Sequence, residues 1–150
     1  MKTELMTQVT NSIFEVMETM FFMTLEKPKS PPAEIGDAQK TSAITFSGEY
    51  SGTIFLSIPE GLLRTMTENL LGQDIDTLTQ AHVDGTLKEA LNMIAGSALT
   101  KVDNTAYMGL GIPEIVPHPE PGTVDDTVVL ATTEGVFTAH VRLNSDHSDN

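Results

Sequence analysis

The chain has 150 residues, no cysteine and a formal net charge of -13. Disulfides, thiolate metal sites and cysteine nucleophiles are thereby excluded, and an acidic surface of this strength is a poor match for nucleic acid or an anionic membrane. Lys2 is followed two positions later by Glu4, which is not the order of a signal peptide, and the apolar run Met20 to Met23 falls far short of the ~20 residues that cross a bilayer. A cytoplasmic protein without membrane insertion is expected.

Residues 3–25 read as a helix, because Leu5, Val9, Ile13, Val16, Met17, Met20 and Phe21 recur at three- and four-residue steps. The apolar arc is wide, which suits burial in the core or contact with a second subunit. Pro28, Pro31 and Pro32 forbid continuation, so residues 26–40 are expected as a linker loop. A hairpin follows, with Ile44, Phe46 and Tyr50 before the Gly48 and Gly52 region and Ile54, Leu56 and Ile58 alternating after it. Ser57-Ile58-Pro59-Glu60 has the spacing of a capping box. It is expected to open a helix through Leu62, Leu63, Met66 and Leu70 that Gly72 stops. A long helix from about Thr79 to Val102 comes next. Met108 to Val116 reads as extended but broken by glycine and proline, and Val128–Ala131 with Val136–Leu143 reads as a closing hairpin across Glu134-Gly135. The polar tail, residues 144–150, is expected to fray. Strands pair locally and no strand–helix–strand repeat occurs. The expected fold is α+β, one domain over residues 1–150, an antiparallel sheet with helices packed on one face.

Familiar catalytic constellations are missing. Gly109-Leu110-Gly111 does not extend to a dinucleotide loop, no phosphate loop occurs, and no G-x-S-x-G elbow is present. His82, His118, His140 and His147 are scattered, so no metal site is expected. His82 reads as a surface helix residue and His140 as facing solvent from the last strand.

The long helix carries the informative pattern. On a 3.6-residue turn, Leu87, Leu91, Ile94, Ala95, Ala98 and Val102 gather on a core face. Glu89, Asn92 and Gly96 gather elsewhere, with Gly85 one turn ahead. A carboxylate and a carboxamide at i and i+3 thus share a ridge. Such a pair is also what any wet helix face offers. Asparagine, however, is a poor choice inside a helix, and each glycine costs about 1 kcal/mol relative to alanine. Two glycines on one exposed stripe point to close approach of a partner. We read Gly85 and Gly96 as flanks of a docking ridge that carries Glu89 and Asn92.

At these residues the chain resembles a known family. Glu89-x-x-Asn92-Met93-Ile94-Ala95-Gly96 is similar to the signature of the CheC/CheX/FliY chemotaxis phosphatases, and most similar to CheX. Ser12 to Met20 resembles the CheX opening helix. The hairpin around Gly48 and Gly52, the helix end Leu70-Leu71-Gly72, and Gly111-Ile112-Pro113 fall where that family has similar elements. Coverage is about Met6 to Leu143. One departure stands out: the family signature usually has Asp or Ser four residues before the glutamate, where this chain has Gly85, with Asp84 one place early.

The resemblance implies a CheC/CheX-like fold and an unusual hydrolase. Its substrate is the aspartyl phosphate of a CheY-type response regulator, which brings its own magnesium and a lysine. Asn92 would hold a water in line with phosphorus and Glu89 would pair with that lysine. No cofactor of its own and no metal are implied, and a homodimer is. The rival reading is a noncatalytic adaptor that keeps the fold and ridge but binds a regulator or other signalling protein without hydrolysis.

Overall fold

The computed structural model describes residues 2–26, 39–48, 51–102 and 109–144. Tyr50, Met108, His147, most of the expected linker and nearly all of the expected tail lie outside them. The elements are α1 (Lys2–Met20), β1 (Gln39–Ser47), β2 (Gly52–Pro59), α2 (Glu60–Leu71), α3 (Gln80–Val102), β3 (Gly109–Leu110), β4 (Glu114–Val116), β5 (Asp126–Thr132) and β6 (Gly135–Leu143). All strand pairs are antiparallel, in the order β3-β1-β2-β6-β5, with β4 also on β1. None of the helices is long and apolar enough to cross a membrane, among the described residues.

Strand alternation divides the sheet into two faces. Ile44, Phe46, Ile54, Leu56, Ile58, Leu130, Phe137, Ala139 and Val141 point to one face and meet the buried sides of the three helices in a single core. Gly52 is needed within β2 rather than in the turn. A Cβ there would collide with the backbone oxygen of Arg142 on β6, so only glycine permits that pairing.

The wide apolar arc of α1 is consumed inside the chain, since Leu5, Met6, Val9, Ile13, Val16, Met17 and Phe21 are all buried. Of the two destinations expected for it, the core is the one observed. The helix also ends earlier than its periodicity suggests. Phe22 takes a left-handed conformation (φ 58°), and the Met23 amide donates back to the Met17 carbonyl at 3.0 Å. This is a helix-ending motif with an aromatic where glycine is usual. The chain then reaches Glu26, which bridges Ala131 on β5.

The expected capping box at Ser57 is not formed. Ser57 remains in β2, the helix starts behind Pro59, and no side chain caps it. Sheet pairing keeps the Ser57 hydroxyl on the second face of the sheet, where it lies 2.7 Å from Thr41 Oγ1 and 3.0 Å from His118 Nδ1. Gly72 does stop α2, in a left-handed conformation.

Part of that second face is polar and buried, at Thr41, Ser57, Thr138 and His140. Residues 117–125 lie against it, held by His118 at one end and by Thr123, whose carbonyl accepts from Arg142 Nε at 2.8 Å. His140 is therefore not a solvent-facing residue, contrary to expectation; it is 8% exposed. Its ring nitrogens face the hydroxyls of Thr127 at 2.8 Å and Thr138 at 3.3 Å, and its ring stands edge-on to His118. Burial, reinforced by the neighbouring His118, lowers the His140 pKa from 6.5 to about 4.

The unfolded chain takes up this proton near pH 6.5 and the folded chain only near about 4. Stability attributable to His140 is therefore present above pH 6.5 and lost as pH falls towards about 4. Urea midpoints at pH 7 and pH 5 should drop more for the wild type than for His140→Gln. Equal drops would show that His140 is not held neutral.

Candidate functional site

The site rests on α3, and α3 is fixed from several sides. Its start is capped reciprocally: the Thr79 hydroxyl accepts from the His82 amide at 3.1 Å, and the Thr79 amide donates to His82 Nδ1 at 3.2 Å. This is capping-box geometry with histidine in the glutamate's place. Lys101 sits in the last turn, where a cation opposes the helix dipole. The buried stripe comprises Val83, Thr86, Leu87, Ala90, Leu91, Ile94, Ala95, Ala98 and Leu99. Val102 is half-buried against it. Its alanines allow close packing on the sheet and on α1, where Ser12 Oγ donates to Ser97 Oγ at 3.1 Å.

One side of the stripe is pinned to β1 by Lys40, whose Nζ lies 2.7 Å from Asp84 Oδ1. Gln80 Nε2 donates to the same oxygen at 3.0 Å. Lys40 holds the Asp84 carboxyl below its ordinary pKa, against the opposing effect of burial and with help from Gln80. This gives the family departure a physical meaning. Asp84 stands one place early and serves as the tie between α3 and β1, while the ridge position holds Gly85.

The ridge itself is where the sequence places it. Gly85, Glu89 and Asn92 are exposed, and Gly96 is half-buried. Neither Glu89 nor Asn92 makes a hydrogen bond or ion pair with another described residue. A carboxylate and a carboxamide are thus displayed together on one exposed side of the helix. The two glycines differ. At Gly85 an added Cβ meets nothing within 4 Å, whereas at Gly96 it would lie 3.8 Å from Leu110 Cδ1, an ordinary contact. Gly96 therefore lies at the junction of the ridge and β3. No cluster of three or more metal-ligating side chains occurs among the described residues.

Sequence reading missed Ile112, which is 82% exposed on the connection from β3 to β4. The available signal was an isoleucine enclosed by Gly111 and Pro113, with no polar alternation to place it on a buried face.

An antiparallel sheet with three helices on one face is the fold of CheC/CheX-like proteins. Solved structures agree in fold. The chemotaxis protein CheX of Vibrio vulnificus superposes with a TM-score of 0.75 at 21% identity, covering 93% of this chain and 96% of that one. A chemotactic CheC-like protein of Shewanella oneidensis gives 0.69 at 17% identity, covering 96% and 100%. CheX in the CheX–CheY–BeF3–Mg2+ complex of Borrelia burgdorferi gives 0.70 at 12% identity, covering 93% and 97%. None of the curated proteins matches the chain in sequence. The model of the family described as chemotaxis phosphatase CheX matches residues 40–133, which include the whole ridge, and the chain belongs to that family.

Open space at Gly85 and ordinary contact at Gly96 predict that neither glycine is required by the fold. Gly85→Ala and Gly96→Ala should each raise stability, by up to about 1 kcal/mol in chemical denaturation. A loss of stability in either variant would show that the glycine serves the fold.

Proposed function

We propose that this protein hydrolyses the aspartyl phosphate of a CheY-type response regulator. The observation that carries the reading is the pair Glu89 and Asn92, exposed and engaged by no other described residue, on a helix that is anchored by its cap, its core face and the Lys40–Asp84 tie. Family membership supports it. So does the existence of a CheX–CheY complex with magnesium for a protein of the same fold.

In this reading the ridge enters the regulator's phosphorylation site. Glu89 pairs with the regulator's lysine and fixes the approach. The Asn92 carboxamide oxygen accepts from a water and its NH₂ donates to a neighbouring acceptor, which holds the water in line with phosphorus. The water oxygen bonds to phosphorus as the bond from phosphorus to the aspartyl oxygen breaks. The regulator's carboxylate leaves, and the water's proton passes to a phosphoryl oxygen, because a neutral carboxamide does not take it. Positioning is the whole contribution, as befits a phosphoryl group that needs little covalent help. The magnesium belongs to the regulator, and the chain supplies no cofactor. The chain acts in the cytoplasm as a homodimer.

Phosphate release from a phosphorylated regulator should fall ~10²-fold or more in Asn92→Ala, with an unchanged melting temperature. Equal turnover in the folded variant would reject the mechanism. Wild type that binds the regulator yet releases no phosphate above the regulator's own rate would establish the adaptor instead.

Glu89→Lys places a like charge against the regulator's lysine. Affinity for a beryllofluoride-treated regulator should weaken by about tenfold or more. Unchanged affinity would show that Glu89 does not meet that lysine.

A further inference from the structure

The segment that joins β3 to β4 runs beside the ridge. At one end, Leu110 lies against Gly96 and pairs with Phe46 of β1. At the other, Val116 pairs with Thr41, next to Lys40, which holds Asp84. Between these ends the Glu114 carbonyl accepts from Ser42 Oγ at 3.0 Å. Hence α3, from Asp84 to Gly96, runs antiparallel to residues 110 to 116. Glu89 and Asn92 fall in the middle of one span and Ile112 in the middle of the other.

Ile112 is unusual in its mount as well as in its exposure. Single exposed apolar residues are common and need no explanation. This one is rigidly presented. The Gly111 amide donates to the Thr45 carbonyl at 2.8 Å, and a Cβ at 111 would stand 2.5 Å from Thr45 Oγ1. Pro113 restrains the backbone on the other side. A β-branched side chain has little rotamer freedom to lose on contact. Stiff display of an apolar group on a segment that runs alongside the ridge helix suits a contact made with a partner, since little ordering cost remains.

We propose that the docking surface extends from the α3 ridge onto this connection, and that Ile112 is a specificity contact for the phosphorylated regulator. The proposal rests on the proposed function of the ridge. The partner chemistry it requires is a cation to face Glu89 and an apolar side chain beside it to cover Ile112. Exposed Glu114 flanks the isoleucine with a further carboxylate, which favours a basic rim around that apolar group. Ile112 touches no reacting atom in this arrangement, so it acts on capture and not on the chemical step.

The test is steady-state phosphate release from a CheY-type regulator phosphorylated by acetyl phosphate with magnesium, comparing wild type, Ile112→Leu and Ile112→Asp. Ile112→Asp should raise KM by about tenfold or more while kcat at saturating regulator stays within about twofold. Ile112→Leu should retain the wild-type KM, and both melting temperatures should be unchanged. If wild type is active and Ile112→Asp has the same KM, the inference fails while the ridge reading stands. If wild type itself releases no phosphate, the ridge reading fails and takes this inference with it. A shift of Ile112→Asp to a smaller species in sedimentation would overturn the inference by assigning Ile112 to contact between copies of the chain.

Discussion

Everything at the site depends on how α3 buries its apolar stripe. The stripe from Val83 to Leu99 meets both the sheet and α1, so the helix has one face in the core and one side along β1. Burial of this kind stabilises by roughly 25 cal/mol for each Å² of apolar surface removed from water. It also removes freedom of rotation, because turning the helix would lift Leu87 or Leu91 out of the core. The direction in which Glu89 and Asn92 point is thus set by residues that take no part in any chemistry. Lys40 and Asp84 add a polar tie on the same element, at the side where rotation would begin.

A rigid convex ridge suits a reaction carried out in another protein's site. An enclosed cleft would gather a small substrate and shut out water. A ridge instead completes a cleft that the partner supplies, and under the proposed function the partner's magnesium and lysine are part of that cleft. The chain then needs no strained backbone, no perturbed acid and no nucleophile at the ridge. The most perturbed group among the described residues, His140, lies on the opposite face of the sheet, edge-on to His118 of the segment 117–125. Perturbed titration alone would therefore point away from the ridge.

Much of the architecture was legible in the sequence, for a physical reason. Period-two runs such as Ile54–Leu56–Ile58 and period-3.6 runs such as Leu87–Leu91–Ile94 record which face is buried, and burial is what organises the sheet and helices. The ridge was legible as the complement of that stripe. Local chemistry misled where a tertiary contact overrode it. Ser57 has capping-box spacing, yet pairing with β1 holds it in the strand. His140 looked like a wet residue because a strand's alternation says which face a residue is on, and says nothing of what lies over that face. The end of α1 was obscured by Phe21-Phe22-Met23, where an apolar run continues after the backbone has already turned at Phe22. The tie between Lys40 and Asp84 spans 44 residues and leaves no local trace. The course of residues 110–116 along the ridge side of α3 likewise emerges only when β3 and β4 take their places on β1.

The central claim is that the ridge enters the regulator's phosphorylation site with Asn92 foremost. The most direct measurement is a crystal structure of this protein with a beryllofluoride- and magnesium-loaded CheY-type regulator. The account predicts the Asn92 carboxamide within about 3 Å of a water in line with beryllium, and the Glu89 carboxylate paired with the regulator's lysine. A complex in which the regulator binds elsewhere and the ridge faces solvent would contradict it.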